Sequence, residues 1–135
     1  MALFALPGRH SILASRERKN AYFPEGVSVI STHILDTSRG LPAAGVLVSL
    51  ERAAGLEWNS VGRELTNGDG RISFACPAEA GTYRLTFQID AYFAQNQQSP
   101  FFTVVPVVFA ITDTSRKYHI PLLLNPYGYS TYRGS

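Results

Sequence analysis

The chain has a single cysteine, Cys76. One thiol closes no disulfide within the chain and builds no cysteine-based metal site, and it suits a reducing compartment. Long apolar runs are also missing. Nothing approaches the roughly 18 consecutive residues that a membrane-spanning helix needs, so no membrane partner is expected. Charge is sparse at 16% of residues against 45% hydrophobic, which excludes a disordered chain and suggests that partners cover some surface. The 135 residues fit one domain, with enough chain to bury a core.

A basic stripe is lacking too. The 12 Lys and Arg face 10 Asp and Glu, and the small excess sits in the first 26 residues, where Arg9, Arg16, Arg18 and Lys19 meet Glu17 and Glu25. The rest is neutral, so nucleic acid is not expected as a partner, because phosphate binding needs clustered cations. No H-E-x-x-H, G-x-S-x-G, phosphate loop or dinucleotide fingerprint occurs, and no internal repeat.

Residues 1–26 read as an N-terminal extension. The apolar start, Met1 to Leu6, breaks at Pro7-Gly8 and has no basic leader, which excludes a secretory signal. Two readings stay open: an organelle transit segment, and a tail that is disordered or lines an interface. The expected location is cytoplasmic, with organelle targeting as the alternative.

From Val27 onward short strands alternate with turn signals, the pattern of an all-β sandwich. Val27 to Leu35 is β-rich and ends in the turn Asp36 to Gly40. Val46, Val48 and Leu50 then alternate with more polar neighbours. Glu57 to Leu65 is a strand closed by Thr66-Asn-Gly-Asp-Gly70, and Arg71 to Phe74 is a short one. Thr82 to Asp90 alternates most clearly, with Tyr83, Leu85, Phe87 and Ile89 on one face. Asp90 to Gln97 has helical spacing, with Asp90 as N-cap. Val104 to Ile111 and Lys117 to Leu124 are apolar on both faces, so both faces must be covered, most simply by another subunit. Pro106 and Pro121 lack an N–H and ask for edge or bulge positions.

Few residues can carry chemistry. His10 lies in the extension, whereas His33 and His119 lie within strands, where a histidine is most often a satisfied structural residue. Two histidines without a third ligand at recognisable spacing make no zinc site, so no metal is expected. Arg71 follows a glycine-rich turn, a common place for a solvated arginine. The C-terminus is less ordinary. Chain ends fray, yet Tyr127, Tyr129 and Tyr132 crowd this one before Arg133-Gly134-Ser135, as though it were docked.

Four segments in order resemble the transthyretin/hydroxyisourate hydrolase family. They are S-T-H-I-L-D-T-S-R-G-L-P-A (Ser31 to Ala43), the turn N-G-D-G-R ending at Arg71, K-Y-H-I-P-L-L-L (Lys117 to Leu124), and the terminal Y-S-T-Y-R-G-S (Tyr129 to Ser135). The likeness spans residues 27–135. It departs at F-F-T-V-V-P-V-V, Phe101 to Val108, where the family carries an acidic residue.

The resemblance implies a transthyretin-like β-sandwich of two four-stranded sheets with one short helix, assembled as a homotetramer with sites between dimers. It implies hydrolysis of 5-hydroxyisourate, a cyclic amide, to 2-oxo-4-hydroxy-4-carboxy-5-ureidoimidazoline in urate degradation, without a cofactor. His33, Arg71, His119 and Ser135 are the implied catalytic residues, and His33, Arg71 and Tyr132 the implied substrate contacts. Histidines suit water activation and proton delivery, in an order the sequence leaves open, and Arg71 suits a polarised carbonyl.

Two rival readings belong to other classes. A transthyretin-like carrier of a small ligand has no reason to keep His33, Arg71, His119 and the Tyr132 to Ser135 tail. A non-catalytic β-sandwich interaction module is expected to be appended to a larger chain, whereas this one is expected to stand alone.

Overall fold

The structure, a computed structural model, describes residues 26–135; apart from Gly26, the extension lies outside the described residues. Among the described residues, nine strands form two sheets. The first contains β1 (Val27–Asp36), β2 (Leu41–Pro42), β5 (Arg71–Pro77), β8 (Tyr118–Asn125) and β9 (Gly128–Thr131). The second contains β3 (Leu47–Ala54), β4 (Glu57–Leu65), β6 (Gly81–Gln88) and β7 (Val104–Ile111). The second sheet runs β4-β3-β6-β7. In the first, β1 lies between β5 and β8, and β9 pairs outside β8. Four full strands per sheet match the expected sandwich, with two-residue β2 as an addition beside the end of β1.

Period-two alternation decides which residues face inward. Ile30 and Ile34, Ile72, Phe74 and Cys76, and Tyr118, Ile120, Leu122 and Leu124 form one wall of the core. Val48, Leu50, Leu85, Phe87, Val105 and Ile111 form the other. β5 outruns its expected end at Phe74 because Cys76 supplies a third inward apolar residue.

The one helix among the described residues, α1 (Ile89–Gln95), starts one residue before the expected Asp90. Asp90 is therefore not the N-cap. Gln88 holds that position without a side-chain capping bond, and Asp90 lies in the first turn. Burial sets this start: Ile89, Tyr92 and Phe93 all point into the core, and Ile89 continues the inward row of β6 as a helical residue. The helix is also tied to β1, because the Tyr92 hydroxyl donates to the buried Asp36 carboxylate at 2.7 Å. Burial alone would raise the Asp36 carboxyl, but hydrogen bonds from Ser38 and Tyr92 outweigh it and hold it below its usual value.

Pro106 lies on an edge, as its missing N–H requires, since among the described residues β7 pairs only with β6. Pro121 departs from the expectation. It lies inside the sheet, between β1 and the tail, where the β8·β9 ladder is interrupted. Pairing runs to Leu122↔Thr131, skips Pro121, and resumes as an isolated bridge between His119 and Gly134. The Thr131 hydroxyl donates to the Pro121 carbonyl at 2.7 Å, so the gap leaves that acceptor satisfied. The aromatic-rich terminus is thus docked on β8.

Candidate active site

The candidate residues gather on the outer face of the first sheet, opposite the core. Arg71 is the first residue of β5 and pairs directly with His33 of β1. Partners in register point to the same face. Across the parallel β1·β8 pair, Ser31 is level with His119 and His33 with Pro121. Arg71, His33, Ser31 and His119 therefore share one surface, drawn from strands far apart in sequence.

The turn before β5 fixes where Arg71 begins. The Asn67 side-chain oxygen accepts the N–H groups of Asp69 at 2.9 Å and Arg71 at 3.0 Å. Gly70 has φ +74° and its carbonyl accepts the Ile34 N–H at 2.8 Å, while a Cβ there would stand 2.6 Å from the Ile34 carbonyl oxygen. Only glycine meets both demands without strain. Behind the turn, the buried Thr66 hydroxyl donates to the Ala43 carbonyl and accepts the Val46 N–H.

His119 is held from both sides. Its Nδ1 is 2.8 Å from the Ser31 hydroxyl. Its carbonyl accepts the Gly134 N–H at 2.7 Å, and its ring lies so close over Gly134 that a Cβ there would be 2.7 Å from Cδ2. One ring edge therefore rests on β1 and the other on the C-terminal tail, which leaves Nε2 at the outer end.

Burial, followed by the positive charge of Arg71 and then His33, pushes the His119 imidazole below its ordinary value of 6.5. The ring is thus neutral at pH 7 and able to accept a proton. A depressed histidine takes up its proton only as pH falls through the lowered value, and base function is lost in that window. The unfolded chain binds the same proton first, so this group also costs stability as pH drops below 6.5. Replacing Arg71 by glutamine removes the second cause and leaves the first. The midpoint of an NMR titration of His119 is expected to move up toward 6.5, and an unchanged or lower midpoint would contradict the coupling.

The other expected residues are placed differently. Ser135 follows the Gly134 bridge and is exposed, one residue from the backbone contact with His119. Tyr132 is 58% exposed and turns toward the sandwich edge, where it lines a cavity of about 300 Å³ with Val107, Phe109, Tyr118 and Arg133. It makes no hydrogen bond or ring contact with the histidines within the described chain. A larger depression of about 490 Å³ lies on the second sheet beside α1 and holds no histidine. Among the described residues, no three His, Cys, Asp or Glu side chains gather as a metal site, and no helix is long and apolar enough to cross a membrane.

Ser31, Asn67 and Gly134 were not singled out by the sequence reading. Ser31 carried a signal, since it is two residues from His33 and so shares its face. Its contact with His119, 88 residues away, did not.

The fold and this face together define a transthyretin-type sandwich with two histidines and an arginine on one sheet. Residues 30–134 match the model of the HIUase/Transthyretin family, and the chain belongs to that family. It is 44% identical over 113 residues to a 5-hydroxyisourate hydrolase from Salmonella typhi, an alignment covering 82% of this chain and 83% of that one. The solved structure of Klebsiella pneumoniae 5-hydroxyisourate hydrolase has a TM-score of 0.72 and 43% identity, covering 80% of this chain and 99% of that one. Sea bream transthyretin, solved in complex with thyroxine, has a TM-score of 0.71 and 30% identity, covering 78% of this chain and 93% of that one.

Proposed function

We infer that the chain hydrolyses 5-hydroxyisourate, opening a ring amide to give 2-oxo-4-hydroxy-4-carboxy-5-ureidoimidazoline. The reading is supported by relatives of that name and by one observation above all. A two-sided clamp holds the His119 imidazole on the face that carries His33 and Arg71.

The chemistry follows from what each group can do. His119 takes a proton from water, and the resulting oxygen bonds to the ring carbonyl carbon. Arg71 stays charged, and its fork of donors stabilises the oxyanion that forms. When the carbon–nitrogen bond breaks, the proton that His119 took from water passes by way of His33 to the departing nitrogen, which returns both rings to their starting state. Ser135, beside the His119 bridge, offers a hydroxyl to orient the imidazole or the substrate. Tyr132 enters as a substrate contact. Water, base, donor and oxyanion partner complete the balance, and no cofactor step is required.

The assembly proposed with this activity is a homotetramer with sites between dimers. Its support is the apolar surface left uncovered on one chain. Val104, Val108, Phe101 and Tyr129 are exposed along or beside β7 and β9, the edges left unpaired among the described residues, and Leu123 is exposed on β8. Unpaired edges and contiguous apolar patches of this kind are usually covered by another chain. Tyr132 lies on that same edge, where a second copy would approach it.

Product analysis tests the reaction. In water enriched in ¹⁸O, with protein present at a level where turnover outruns spontaneous decay, the new carboxylate should carry one labelled oxygen. Consumption of substrate without that label would contradict hydrolysis.

A further inference from the structure

We propose that Ser31 is a positioning residue that holds His119 as the Nδ1–H tautomer, leaving Nε2 unprotonated as the atom that takes the proton from water. The proposal rests on the reading of His119 as the base, and it goes beyond that reading by naming the partner that holds the base's active form.

The geometry is specific. Ser31 Oγ is 2.8 Å from His119 Nδ1, across the parallel pairing that sets residues 31 and 119 level. A neutral imidazole carries one proton, and the partner of one nitrogen decides which nitrogen holds it. A serine hydroxyl can donate or accept, so the choice depends on the far end of the ring. Nδ1 is taken up by Ser31, so Nε2 is the nitrogen open to water, and a base acting there needs its lone pair. The proton then belongs on Nδ1, and Ser31 accepts it. Gly134 contributes by leaving room for the ring to lie flat on the tail side. The Ser31 hydroxyl makes no other hydrogen bond in the described chain, so orienting this imidazole is its one polar contact.

The test uses the full chain with no tag after Ser135 and two variants, Ser31→Ala and Ser31→Thr. Loss of an orienting partner of this kind should lower kcat by about 10- to 10²-fold in Ser31→Ala with KM changed by less than about threefold, because the substrate contacts remain. Ser31→Thr retains the hydroxyl and should recover most of the loss. The second readout needs no turnover. ¹⁵N spectra of the His119 ring should show Nδ1 protonated and Nε2 bare in the parent and in Ser31→Thr, and a mixture of tautomers in Ser31→Ala.

A parent spectrum with the proton on Nε2 would overturn the proposal, as would a folded Ser31→Ala protein with parental kcat. His119→Ala, assayed beside them, separates the two levels of the argument. An inactive His119→Ala with a fully active Ser31→Ala sinks only the role of Ser31. An active His119→Ala sinks the catalytic reading of His119, and the ¹⁵N spectra alone then decide whether Ser31 sets the tautomer.

Discussion

Replacing His119 with alanine should lower kcat by about 10²- to 10⁴-fold, the usual contribution of one acid–base group. The fold should survive the change, because the imidazole lies half-buried on the outer face and contributes nothing to the wall formed by Tyr118, Ile120 and Leu122. Removing it also frees Ser31, which can turn to solvent, so no buried polar group is orphaned. Light scattering should therefore report the parental mass, and KM should change much less than kcat. Parental turnover by a purified, folded variant would remove His119 from the mechanism. A matched loss in mass and activity would point instead to a part in assembly.

The second large effect is expected at Gly134. A Cβ there would stand 2.7 Å from Cδ2 and 3.3 Å from Cγ of His119. The ring cannot yield freely, since its Nδ1 edge is held by Ser31. In Gly134→Ala either the imidazole swings away from Ser31 or the tail lifts from β8, carrying Ser135 with it. Each outcome displaces a group by a fraction of an ångström to an ångström, and misplacement of that size costs up to about 10²-fold in rate. Stability should hardly move, because the bridge to the tail is one hydrogen bond, with a net worth of about 0.5–1.5 kcal/mol. Steady-state kinetics beside a thermal melt read both quantities. Unchanged kcat/KM would mean that the ring position over Gly134 is not the catalytic one.

Local pattern carried the sandwich a long way. The bounds of β4 and β7 follow directly from their sequences, and the inward row Tyr83, Leu85, Phe87 is buried as alternation requires. What local pattern lacks is any record of which strand lies beside which. β9 is mostly polar and becomes a strand only because β8 offers it a partner. Pro121 misled for the same reason, since a ladder that stops and resumes around it is a property of the tail and not of β8 alone. At Ile89 the inward periodicity of β6 is preserved while the backbone turns helical, so burial was legible and the element boundary was not.

The candidate site divides along the same line. Arg71 at the end of its turn and His33 in mid-strand could be named from sequence, yet their adjacency comes from antiparallel pairing, and that of Ser31 with His119 from a parallel pair. Ser31 was invisible as chemistry because a serine in a strand has no distinguishing spacing. The role of Gly134 also required the structure, which lays an imidazole across it. Tyr132 points to a different limit: on one chain it turns to the edge cavity, and its part in a site depends on what meets that edge.

The most direct test is the decay of 5-hydroxyisourate, generated in the cuvette by urate oxidase and followed by absorbance, with protein that carries no tag beyond Ser135. The parent should accelerate the decay well above the spontaneous rate, and His33→Ala and His119→Ala should abolish the acceleration. Decay at the spontaneous rate in the presence of folded parent protein would contradict the hydrolase reading. It would favour a carrier that shares the transthyretin fold.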